Sequence, residues 1–193
     1  MKTRVSFLLK LAHEWDVSVQ AIAEVGVLRG EFSAKLRQAF PYADLHLVDP
    51  WDHIPELAEL KGRLHREGGD ADANREVWSR TFQRVRFMFA GDEKVLLHRA
   101  TSAEAAPAFE DNSLDIAYID ADHRYEKVQE DIRLWTPKVR PGAILCGHDY
   151  QESGPRRGLF KVKPAVDDML GASIVSDRRI AMWAWRKPDG AVH

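Results

Sequence analysis

The residues able to do chemistry in this chain recur at one kind of position, the carboxyl end of a short apolar run. Ala21 to Val25 carries Glu24 and leads to Gly26; Leu45 to Val48 leads to Asp49; Val95 to His98 leads to Thr101 and Ser102. Leu114 to Ile119 leads to Asp120, Asp122 and His123, and Ala143 to Cys146 leads to His148 and Asp149. Carboxylates are hard oxygen donors suited to Mg2+, and a histidine has the unperturbed pKa of a base working near neutral pH. The plainer reading of any one of them is a helix cap or a turn residue. Successive runs that all end in such residues argue for one shared crevice, because ligands of open α/β sheets bind at the carboxyl ends of the strands.

The elements that must position these residues alternate. Val5, Leu8, Leu11, Ala12 and Trp15 have helical spacing, which predicts an N-terminal helix within residues 1–18. Phe32, Leu36, Ala39 and Phe40 predict a helix after the first strand, ended by Pro41. Asn74 is the expected cap of a helix carrying Trp78, Phe82, Val85 and Met88. A short helix is expected over 103–109, another carrying Tyr125, Val128, Ile132 and Trp135, and a last one carrying Ala165, Val166, Met169 and Leu170. Pro141-Gly142 reads as a turn into the fifth strand. Near-continuous apolar strands alternating with helices predict a mostly parallel sheet covered on both faces. The final two strands, over 173–175 and 180–185, are joined by a connection too short for a parallel crossover and so form an antiparallel hairpin. The polar stretches 52–74 and 151–163, the second containing Arg156-Arg157, are the expected site loops.

The first strand and turn read Glu24-Val-Gly26-Val-Leu28-Arg-Gly30. A dinucleotide fingerprint needs a second glycine two residues after the first, to admit the pyrophosphate; Leu28 stands there. Asp49, roughly 20 residues further on, can accept hydrogen bonds from ribose hydroxyls. The pattern therefore suggests a cofactor with a ribose and without phosphates.

These motifs, with Val48-Asp49-Pro50-Trp51, Ile119-Asp120-Ala-Asp122-His123-Arg-Tyr125 and Gly147-His148-Asp149-Tyr150, occur in order over most of the chain. It resembles the class I S-adenosylmethionine-dependent methyltransferases. Within them it is most similar to the small O-methyltransferases of the macrocin and Methyltransf_24 type, relatives of the catechol and caffeoyl-CoA enzymes. The resemblance implies an α/β Rossmann-like methyltransferase sandwich forming a single domain over 1–193, with strand order 3-2-1-4-5-7-6 and strand seven antiparallel. It implies S-adenosyl-L-methionine as cofactor, with Glu24, Gly26 and Gly30 at its methionine end and Asp49 at the ribose. Trp51, Thr101 and Ser102 are implied around the adenine, and Asp120 where donor meets acceptor.

Methyl transfer to oxygen needs a hydroxyl whose proton is removed or whose anion is stabilised, the second being a Lewis-acid role. Asp120 and Asp149 end neighbouring strands, so they are the expected ligands of a divalent cation, Mg2+, with Asp122 as a further ligand or an orienting group. His123 stands where the caffeoyl-CoA enzymes carry a lysine and is the expected base. His148-Asp149 departs from the Asp-Asn pair of those relatives, and His148 is set aside as a ligand because imidazole prefers softer metals. Metal-free relatives, in which a histidine acts alone, keep the alternative open. The expected partner is a small hydroxylated substrate. A nicotinamide-dependent oxidoreductase, or a non-catalytic cofactor-binding protein on the same fold, is the competing reading.

Composition sets the remaining bounds. The 193 residues suit one domain, and 28 Lys and Arg against 30 Asp and Glu give no charge excess that points to nucleic acid or membrane. The single Cys146 rules out an internal disulfide. The absence of an apolar leader leads us to expect a cytoplasmic protein, and a homodimer is the default assembly.

Overall fold

A computed structural model describes residues 3–52, 71–151 and 161–190 of the chain. The elements run α1 (Arg4–Glu14), β1 (Ala21–Val25), α2 (Glu31–Ala39), β2 (Asp44–Val48), α3 (Ala71–Met88), β3 (Val95–His98) and α4 (Ser102–Ala105). They continue with β4 (Leu114–Ile119), α5 (Tyr125–Trp135), β5 (Val139–Gly147), α6 (Val162–Leu170), β6 (Ile174–Asp177) and β7 (Met182–Arg186). The strands form one seven-stranded sheet in the order β3-β2-β1-β4-β5-β7-β6. All pairs are parallel except those of β7, which runs antiparallel to both β5 and β6.

The centre of the sheet is apolar because helices cover it on both sides. Every residue of β4 is buried, and the core continues through Ile22, Leu47, Ile144, Leu145 and Trp183. The N-terminal helix buries Leu8, Leu11 and Ala12 of the stripe its spacing predicted, with Phe7 beside them, while Val5 and Trp15 are half-buried. It starts at a reciprocal cap: the Ser6 amide donates to Thr3 Oγ1 (3.1 Å) and the Thr3 amide to Ser6 Oγ (2.8 Å). Arg4, the first helical residue, is thereby fixed beside the sheet.

Backbone bonds carry the parallel ladders one step beyond the strands. The Gly26 amide donates to Val48 O (2.8 Å), Asp120 to Val25 O (2.8 Å) and His148 to Ile119 O (3.2 Å). The residues that follow β1, β4 and β5 therefore leave the sheet at one level. The opposite edge is closed by side chains. Asp115 Oδ2 accepts from the Gln20 and Ala21 amides (2.7 and 2.9 Å) while Arg140 pairs with Oδ1 (2.5 Å).

Three expectations need correction. Asn74 does not cap α3, which already begins at Ala71; the apolar periodicity starts later and carries no information about a polar first turn. Pro141-Gly142 is not a turn before β5 but lies inside it. The β4–β5 register shifts between Leu114 and Ile116, and this irregularity accommodates a proline that cannot donate to the ladder. The 103–109 helix is a single α-turn, α4, followed by a 3-10 turn over Ala106–Ala108. Residues 53–70 and 152–160, which hold most of both expected site loops and Arg156-Arg157, lie outside the described residues.

Lys187 is 2% exposed, and its ammonium donates to Asn112 Oδ1 (3.0 Å), Thr136 O (3.2 Å) and Val139 O (2.8 Å). Replacing it with Met removes all three bonds and takes the side-chain donor from the buried Val139 O. Each unsatisfied buried group costs about 1–3 kcal/mol. The Lys187→Met protein is expected to melt roughly 2–12 °C lower, on the scale of 2–4 °C per kcal/mol for a domain of this size. Differential scanning calorimetry checks this; an unchanged melting temperature would show that the ammonium is not holding the edge.

Candidate active site

The turn after β1 is held by Asp49. Its Oδ2 accepts from the amides of Val27 (3.0 Å) and Leu28 (2.9 Å), and its Oδ1 from the amide of Trp51 (2.8 Å). These bonds stabilise two residues in the left-handed region, Leu28 at φ +55° and Trp51 at φ +42°, a conformation costing on the order of 1–2 kcal/mol outside glycine. Gly26, at φ +94°, faces the end of β4 so closely that a Cβ would overlap the Asp120 carbonyl and lie 2.7 Å from Ala121 Cα. Gly30 serves the next element instead, since at φ +75° it is the left-handed N-cap of α2.

A cleft of about 410 Å³ opens over this turn, lined among others by Gly26, Asp49, Thr101, Ser102, Asp122 and Asp131. Thr101 and Glu104 cap α4 reciprocally (3.3 and 2.9 Å), and Ser102 Oγ accepts from the Trp135 indole (2.8 Å), so both residues are fixed on the wall. Trp51, expected at the adenine rim, is fully buried. Its indole N–H donates to Leu28 O (2.9 Å) and its ring packs on Phe82 at 5.1 Å, so it braces the turn from behind. Glu24 is 1% exposed, and its Oε2 has no hydrogen-bond partner among the described residues. Burial pushes its carboxyl up to about 8, against the opposing pull of Ser33.

Beside the cleft, β4 and β5 bring Asp120, His123, Asp149 and His148 together. His123 Nε2 is 2.8 Å from Asp149 Oδ2 and 3.4 Å from Asp120 Oδ1. His148 Nδ1 is 3.4 Å from Asp149 Oδ1 and 3.9 Å from Asp120 Oδ1. One ligand atom from each of Asp120, His123 and Asp149 lies within 4.8 Å of the others. Burial alone would lower the His123 pKa, but hydrogen bonds to Asp120 and Asp149 outweigh it and raise it to about 9. Burial likewise opposes ionisation of Asp149, yet His123 and His148 hold its carboxyl well below the usual range. The two carboxylates therefore favour the charged form of the His123 imidazole.

Two features were not legible in the sequence. Asp122, expected as a further ligand, is turned away from the cluster: Arg124 Nε and Nη2 grip its Oδ2 at 3.0 and 2.6 Å, and the Arg124 amide donates to Oδ1 at 3.0 Å. Arg4 enters from α1. Its Nη1 donates to Asp120 Oδ2 (3.1 Å) and Tyr118 Oη (3.0 Å), and the guanidinium stacks on Phe32 at 4.3 Å. A lone arginine opening an amphipathic helix carries no local signal of a partner so far along the chain.

A seven-stranded sheet of this order, with an antiparallel seventh strand and a crevice at its carboxyl edge, is the Rossmann-like architecture of the class I methyltransferases. The chain belongs to the Methyltransf_24 family of methyltransferase domains, whose sequence model matches residues 23–150. Solved structures agree on the fold. A Staphylococcus aureus protein provisionally assigned as a caffeoyl-CoA O-methyltransferase superposes with TM-score 0.63 at 12% identity, over 95% of this chain and 83% of that one. The Podospora anserina methyltransferase PaMTH1, solved with S-adenosylhomocysteine (SAH) bound, gives 0.62 at 10% identity, over 98% and 80%. CalS11, a TDP-rhamnose 3'-O-methyltransferase of calicheamicin biosynthesis, gives 0.52 at 19% identity, over 94% and 78%. A curated Sinorhizobium fredii protein, the uncharacterized y4gI, is 38% identical over 55 residues, which are 28% of this chain and 6% of that protein's length. No helix among the described residues is long and apolar enough to cross a membrane.

Two predictions follow from the cleft. Gly26→Ala forces a Cβ into the β4 backbone, and we expect it to cost on the order of 3 kcal/mol of stability, read by thermal melting. Asp131 is buried on the cleft wall, and burial pushes its carboxyl up to about 7, with the Ser102 hydroxyl pulling the other way. Its folded value lies above the ordinary 3.8, so the stability this group contributes at low pH is lost as pH rises from about 4 to about 7. Asp131→Asn removes that loss. Without ligand it should melt several degrees above the parent at pH 8, with the gap narrowing towards pH 5. A gap of the same size at both pH values would contradict the assignment.

Proposed function

We propose that this chain transfers the methyl group of S-adenosylmethionine to a hydroxyl of a small molecule, with a divalent cation held by Asp120 and Asp149. The observation that carries the reading is the contact between Gly26 and the backbone of Asp120. The turn that would cradle the methyl donor touches the residue that would face the acceptor, so donor and nucleophile meet without either site moving. Rate enhancement in such a displacement comes largely from alignment.

The donor cleft fits the proposed ligand in two respects. Glu24, on β1 next to the cleft-lining Val25, has a buried carboxyl oxygen without a partner among the described residues, and the cleft is lined by Thr101 and Ser102 on one side and by Gly26 and Asp49 on the other. Both oxygens of Asp49 already accept backbone amides, so any bond to a ribose hydroxyl uses a remaining lone pair. In the reaction the C–S bond breaks with its electron pair going to sulfur, a C–O bond forms, and the hydroxyl proton is released. A cation between Asp120 and Asp149 would supply the Lewis acidity that lowers the hydroxyl pKa. The residues of the chain position the acceptor oxygen and hold charge around it: Arg4 fixes one oxygen of Asp120, and His123 and His148 fix Asp149.

The nicotinamide alternative loses support because the Leu28 amide is committed to Asp49 where a dinucleotide would need a glycine. The reading includes a cytoplasmic location, a homodimeric state and neither nucleic acid nor membrane as partner, supported by the balanced charge of 28 against 30 and by the commonness of dimers. Isothermal titration is the test. SAH and S-adenosylmethionine are expected to bind one per chain with dissociation constants on the order of micromolar. Absence of binding by both at about 1 mM would overturn the proposal.

A further inference from the structure

The cation site proposed above has an unexpected donor set, and this inference rests on that reading. Mg2+ takes oxygen ligands almost alone, in octahedral geometry with bonds of about 2.0–2.1 Å. Here the third carboxylate that sequence suggested, Asp122, is held by Arg124. The atom that joins Asp120 and Asp149 is the imidazole Nε2 of His123.

The surroundings leave one ligand atom per residue. Arg4 occupies Asp120 Oδ2, so Oδ1 faces the cluster. His148 faces Asp149 Oδ1, so Oδ2 faces it. The side chain of His123 is only 16% exposed, and its backbone carbonyl accepts from the Lys161 amide (2.8 Å), which ties it to the start of α6. Its Nε2 stands 2.8 and 3.4 Å from the two carboxylate oxygens. Neighbouring ligands of an octahedral ion with bonds of about 2.1 Å are about 3.0 Å apart, so these spacings span what one ion would require. Two single oxygens and one imidazole nitrogen form a borderline set. Nitrogen donors strengthen binding of first-row transition ions in the Irving–Williams order and favour Mg2+ little.

We propose that this site takes a divalent first-row transition ion, such as Mn2+ or Co2+, in preference to Mg2+, with His123 as its nitrogen ligand rather than the base of the reaction.

The full chain, stripped with a chelator and saturated with SAH, is titrated with Mn2+, Co2+ and Mg2+ by calorimetry. Displacement of bound Mn2+ by Mg2+ is followed through the free-Mn2+ electron paramagnetic resonance signal. One Mn2+ or Co2+ per chain is expected, bound at least about tenfold tighter than Mg2+. His123→Ala should weaken Mn2+ and Co2+ binding at least about tenfold and change Mg2+ binding about twofold or less. If that variant melts early, His123→Asp serves: an oxygen in place of the nitrogen should shift the preference towards Mg2+ at least about tenfold. Mg2+ binding as tightly as Mn2+, or Mn2+ affinity untouched by either substitution, overturns the inference and leaves the metal reading in place. If SAH binds and no cation does, both fall, while methyl transfer itself stands.

Discussion

The site depends on the point where the β1–β4 ladder runs out. The Asp120 amide makes the last bond of that ladder, to Val25 O, and Gly26 fills the remaining space so closely that no side chain fits there. This one contact ties the donor-side turn to the acceptor-side carboxylate. Any widening between β1 and β4 would separate the two halves of the cleft. Both strands sit in the middle of the sheet, each paired on either side, where opening is energetically most costly.

Around that point the chain stores strain. Leu28, Trp51 and Asp149 all have positive φ, and each directly follows or contacts a strand end of the site. Such conformations persist only where neighbouring bonds determine them. At Leu28 and Trp51 the Asp49 carboxylate supplies those bonds through three amides. Asp49 thus gives the turn its shape before any ligand arrives. The opposite edge of the sheet is secured independently, by Lys187 and by Asp115, which leaves the carboxyl edge free to carry strained residues.

The charges of the acceptor side balance one another locally. Two carboxylates, Asp120 and Asp149, face Arg4 and two imidazoles, while burial keeps Glu24 largely protonated near neutral pH. In a partly buried cluster each group is in its charge state because of its neighbours. The proton on His123 and a cation bound at the same three atoms are alternative ways of neutralising the same carboxylates.

The architecture was legible in the sequence because it rests on local periodicity. The bounds of β1, β3 and β4 follow directly from apolar runs, and the short link before β7 forces an antiparallel hairpin. Which residues stand at the strand ends also follows from sequence order alone. What those residues do was decided by tertiary structure. Trp51 turned inward to brace the turn, Asp122 paired with Arg124 instead of joining the cluster, and Arg4 reached Asp120 from the far N-terminus. A side chain's direction and partners depend on segments that pack together only after folding. Composition and spacing therefore determined that a site exists at this edge, and three-dimensional packing determined which atoms compose it.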